Sequence, residues 1–99
     1  MHPAIGYMTE AIKAVPSVER VILFGSRARG DHDDRADIDL AVSCPTATRE
    51  DWARIWCIVD DAPTLLHVDL VRFEEAAPRI RRSIEAEGRV LYERHRPAA

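Results

Sequence analysis

The residues best equipped for chemistry lie in one short stretch. An apolar run, Val21-Ile22-Leu23-Phe24, leads into Gly25-Ser26, ten residues follow, and Asp37-Ile38-Asp39 opens a second apolar run. Glycine at a strand end permits close backbone approach, and serine at a helix start offers a hydroxyl and an amide where anions are favoured. A triphosphate fits such a turn. Asp37 and Asp39, two apart on a strand, project from one face. Two uncompensated carboxylates so placed repel and push one pKa up, and a divalent cation removes that conflict. Mg²⁺ is held by one or two carboxylates plus substrate phosphates, and two such ions about 3.5–4 Å apart assist an in-line displacement at phosphorus. Asp69 stands alone on the non-core side of the apolar run from Leu66 to Phe73. It is the natural third ligand if that strand neighbours the strand of Asp37 and Asp39.

The elements that must position these residues follow from periodicity. Ile5, Met8, Ile12 and Val15 predict an amphipathic helix over 3–14, closed before Pro16. Residues 18–24 form a strand apolar enough for burial on both faces, and Ser26 is the expected N-cap of a short helix through Arg29. A strand over 36–42 sends Ile38, Leu40 and Val42 to the core and leaves the two carboxylates on the other side. Thr48 and Asp51 start a helix that runs to Asp60, with Trp52, Ile55, Trp56 and Val59 as its core stripe. A strand over 66–73, a helix over 75–87 stopped by Gly88, and a strand over 89–92 complete the chain. The expected fold class is α+β, a small mixed β-sheet packed with helices on one side, in one domain over 1–94 with a mobile tail at 95–99.

The pattern Gly25-Ser26, ten residues, Asp37-Ile38-Asp39 and a later strand Asp69 resembles the nucleotidyltransferase fold of the DNA polymerase beta superfamily. Within it, Gly25-Ser26-Arg27-Ala28-Arg29-Gly30 and the 99-residue layout are similar to the minimal nucleotidyltransferases, the MNT antitoxins encoded beside HEPN-domain toxins. The resemblance implies a transferase using ATP and Mg²⁺ that moves AMP onto a hydroxyl, a tyrosine of a cognate HEPN toxin, and releases pyrophosphate. It implies a hetero-oligomer with that toxin. By position, Gly25 and Ser26 hold the β- and γ-phosphates, Asp37 and Asp39 bind metal, and Asp69 is the third carboxylate. Arg27 and Arg29 are candidates for neutralising phosphate charge. One departure is Ala36, where these families place Ser; a hydroxyl is lost but no metal ligand. The alternative is an antitoxin that neutralises its partner by binding, with a weak or vestigial active site. A third reading keeps the chemistry but transfers to RNA or a small molecule.

Composition narrows the classes. The chain is 46% hydrophobic and 31% charged, and no apolar stretch approaches the roughly 20 residues of a membrane span. A net charge of −3 argues against direct nucleic-acid binding. The opening residues lack a secretory signal, so the expected location is cytoplasmic. Cys44 and Cys57 lack metal-ligand spacing and read as free thiols. The acidic stretch Asp31-His32-Asp33-Asp34 has neither the glycine nor the final glutamate of an EF-hand loop. Neither a Walker loop nor a dinucleotide fingerprint is present. Trp52 and Trp56 read as core; Arg79, Arg81 and Arg82 as a solvated helix face; His32 and His67 as incidental neighbours of the site; Tyr7 and Tyr92 as without a role.

Overall fold

The computed structural model describes residues 1–94; the expected mobile tail at 95–99 lies outside them. Helix α1, Pro3–Lys13, begins with proline at its first turn and with the His2 ring accepting from the Ala4 amide at 3.1 Å. Its stripe Ala4, Ile5, Met8 and Ile12 is buried.

Strand β1 covers Arg20–Phe24 rather than starting at Val18. Val18 is buried, but its amide bonds the Val15 carbonyl at 3.0 Å and so belongs to the turn after α1. Helix α2 (Ser26–Arg29) leads to strand β2, Ile38–Ser43, and helix α3, Arg49–Asp60. The Thr48–Asp51 capping box forms in both directions, at 3.1 Å each.

Strand β3 is Val68–Arg72, shorter than expected. Phe73–Glu75 forms a 3-10 turn, and helix α4, Pro78–Glu87, starts later at a proline. Strand β4 is Arg89–Glu93.

The sheet order is β3-β2-β1-β4. β1 pairs antiparallel with β2 and β4, and β2 pairs parallel with β3. Val21, Leu23, Ile38, Leu40, Val42 and Leu70 face one side, where they pack with α1 and with Ile55 and Val59 of α3.

The other face corrects the expectation of helices on one side. Ile22, Phe24 and Ala41 form a second buried cluster with Phe73 and with Ile84 of α4. The unbroken apolar run of β1 requires this, because alternate residues of one strand face opposite sides and both are buried.

Gly88 caps α4 with an ordinary backbone at φ −66, so its role is space rather than left-handed geometry. A Cβ there would meet the Ile84 carbonyl and lie 2.7 Å from Ile22 Cγ2. No helix among the described residues is long and apolar enough to cross a membrane.

Candidate active site

The site forms where β1 ends and β2 and β3 begin. Gly25 leaves β1 at φ 73, ψ −158, a conformation open essentially to glycine alone. A Cβ on Gly25 would run into the Asp39 carboxylate, with Cγ at 3.1 Å. The glycine is therefore required twice, by its backbone and by its neighbour. Gly25, not Ser26, is the N-cap of α2. Ser26 is the first helical residue, and among the described residues its hydroxyl makes no hydrogen bond.

Asp39 stands opposite Phe24 on one side and opposite Asp69 on the other. Asp37 lies just ahead of β2, and the Ile38 amide bonds the His67 carbonyl at 3.0 Å, which carries the ladder to that point. The carboxylates share the face of Ala41 and Val71, so they lie beyond the edge of the α4-side apolar cluster. Asp39 is half-buried, while Asp37 and Asp69 are exposed. Desolvation raises the Asp39 pKa above the usual carboxylate value; the charges of Asp69 and Asp37 raise it further, and those of His67 and Arg29 oppose the shift.

The two arginines diverge from one another. Arg27 is 8% exposed. Its Nε donates to the Ala36 carbonyl at 3.1 Å and its guanidinium reaches the Asp34 carbonyl at 3.3 Å, so it ties down the acidic loop from inside. Ala36, where a serine hydroxyl was missing, joins the site through its backbone. Arg29 is exposed and bridges Asp31 at 3.1 Å and Glu87 of α4 at 2.9 Å. Glu87 carries no local sequence signal for the site, because it stands 58 residues from Arg29 in the chain. Trp56, expected in the core, is 40% exposed beside the start of β3, whereas Trp52 packs against the core. His67 is exposed on the same rim.

Among the described residues, no three His, Cys, Asp or Glu side chains close into a ready metal cage. The donor set fits Mg²⁺ nonetheless. That ion keeps waters and shares its shell with substrate phosphates, and a cation offsets the burial and the neighbouring negative charges that raise the Asp39 pKa.

The family model described as "Polymerase beta, Nucleotidyltransferase" matches residues 8–97. The chain belongs to the polymerase beta nucleotidyltransferase family. No curated protein matches it. Among solved structures, this nucleotidyltransferase is similar to a toxin–antitoxin crystal structure with AMP-PNP, at 21% identity and TM-score 0.67, over 90% of this chain and 73% of that one. It is similar to the complex of a tri-AMPylated Shewanella oneidensis HEPN toxin with an MNT antitoxin, at 22% identity and TM-score 0.57, over 92% and 73%. A protein described as a minimal nucleotidyltransferase shares 28% identity at TM-score 0.54, over 88% of this chain and 95% of that one.

Proposed function

We propose that this protein transfers AMP from ATP to a hydroxyl, a tyrosine, of a HEPN-type toxin and acts as its antitoxin. The observation that carries this reading is the packing of Gly25, at the end of β1, against the Asp39 carboxylate, with Asp69 the register partner of Asp39 and Asp37 electrostatically coupled to it. Likeness of fold to toxin–antitoxin complexes supports the choice of partner.

In this reading the Gly25-Ser26 turn takes the β- and γ-phosphates, because only a residue without a side chain leaves room beside the Asp39 carboxylate. Asp37, Asp39 and Asp69 hold Mg²⁺, one or two ions, which when bound neutralise charge on the phosphates and make the acceptor hydroxyl more acidic. Asp69, at the outer position, lies nearest the acceptor. Arg29 swings from Glu87 and Asp31 toward the departing pyrophosphate, and Arg27 keeps the loop that carries Asp37 in place.

Incubating the protein with Mg²⁺, α-labelled ATP and the product of the neighbouring gene tests this. Label should appear on the neighbour and vanish with Asp39→Asn. An unlabelled neighbour, beside a transferase control that does label its own substrate, refutes it.

A further inference from the structure

The row of site residues has a direction. Gly25 follows the last residue of β1, Asp39 lies in β2 and Asp69 in β3, and these strands are successive in the sheet, about 4.8 Å apart from one to the next. With phosphates at the Gly25 end, in-line displacement brings the acceptor oxygen from the side opposite the leaving pyrophosphate, over β3. On that side a cleft of about 300 Å³ opens beside Asp69, between the C-terminal part of α3 and the start of β3. Trp56, Val59 and Leu66 supply apolar wall, and Asp60, His67 and Asp69 supply polar groups. The lining holds two carboxylates and no lysine or arginine.

Trp56 gives the cleft its selectivity. The residue is 40% exposed and lines the same cleft as Asp69, at the open edge of the sheet that β3 forms. An exposed indole face next to Asp60 suits a guanidinium or ammonium better than an anion. We infer that this cleft receives the acceptor segment of the protein substrate, a tyrosine directed at Asp69 with a flanking arginine or lysine seated on Trp56 and Asp60.

This inference rests on the AMP-transfer reading for its chemistry. The tyrosine oxygen forms a bond to the α-phosphorus of ATP, and the bond from that phosphorus to the oxygen bridging the β-phosphate breaks. Pyrophosphate leaves with the electron pair, and the phenolic proton passes through Asp69 to water.

Two synthetic peptides with a central tyrosine, one flanked by arginines and one by glutamates, separate the outcomes. With the full chain, Mg²⁺ and α-labelled ATP, the arginine peptide is expected to take label at least about tenfold faster. Trp56→Ala should raise the KM for that peptide about tenfold, with kcat and the affinity for a non-hydrolysable ATP analogue little changed. Tyr7→Ala, an exposed aromatic on α1, is the control and should change nothing. Peptide binding is measured in parallel by fluorescence polarisation with the analogue present. Arginine-peptide binding that depends on Trp56 but gives no label upholds the cleft and refutes the AMP-transfer reading. Labelling with no charge preference, labelling indifferent to Trp56→Ala, or an arginine peptide that neither binds nor takes label overturns the cleft.

Discussion

Asp39 and Asp69 are register partners on parallel strands, and the charge of Asp69 is the largest electrostatic contribution, after burial, to holding the Asp39 proton. Its folded pKa stands above its unfolded value. A group of that kind contributes stability below the unfolded pKa and loses it as pH rises through the folded one, so at neutral pH the ionised Asp39 is a net cost to the metal-free fold. Asp39→Asn should therefore raise the thermal midpoint of the metal-free protein at pH 7 while cutting transfer at least about 100-fold. Calorimetry with EDTA and a labelled-ATP assay check the two halves.

The same relationship sets a pH profile. Transfer should fall as pH drops through the raised Asp39 pKa, because the proton competes with the cation. Asp69→Asn removes a cause of the shift, and an NMR titration of the Asp39 carboxyl carbon should move to lower pH. An unmoved titration would mean that the two groups are not coupled.

Two glycines with positive φ give a paired test. Gly25→Ala and Gly30→Ala each incur a backbone cost of about 1–3 kcal/mol, at φ 73 and φ 84. Only the Gly25 variant also drives a methyl into the Asp39 carboxylate, since nothing lies within 4 Å of a Cβ at Gly30. Chemical denaturation should show both losing stability, and nucleotide titration should show only Gly25→Ala losing Mg²⁺-dependent binding.

The arginines should part company under mutation. Arg27→Ala strands the carbonyls of Asp34 and Ala36 and should cost about 1.5–3 kcal/mol, with faster amide exchange over residues 31–37. Arg29→Ala breaks exposed ion pairs to Asp31 and Glu87 and should leave the thermal midpoint nearly unchanged. Arg29→Ala should raise the KM for ATP in a labelled-ATP assay; Arg27→Ala should instead lower activity in step with loop exchange.

The cysteines differ in reach. Burial pushes the Cys44 thiol up to about 11 from 9.0, while Cys57 is exposed. Iodoacetamide at pH 8 should modify Cys57 alone in the folded protein and both after unfolding. Because the folded Cys44 pKa is the higher one, its contribution to stability is complete below pH 9 and is lost as pH rises toward 11. Mass spectrometry and alkaline melts read these out.

Much of this was legible from the chain alone, for a physical reason. Strand and helix periods are local, so Asp37 and Asp39 on one face, the Thr48–Asp51 box and the stripe of α1 follow from neighbours a few residues apart. The fitness of glycine for the turn at position 25 also follows locally, from the positive φ with which the chain leaves β1. Strand ends were less legible, because Val18 and Phe73 are apolar enough for a strand yet their backbones are taken by turns.

Only the tertiary structure decided what depends on pairing across the chain. Parallel registry brought Asp69 opposite Asp39, and the second face of β1 drew α4 to the side of the sheet opposite α1 and α3. It turned Arg27 inward to backbone carbonyls and Arg29 outward to Glu87, although the two residues belong to one helical turn. It also left Trp56 exposed in the lining of the cleft that Asp69 shares, because a residue's exposure is set by which elements pack over it and not by its own hydrophobicity.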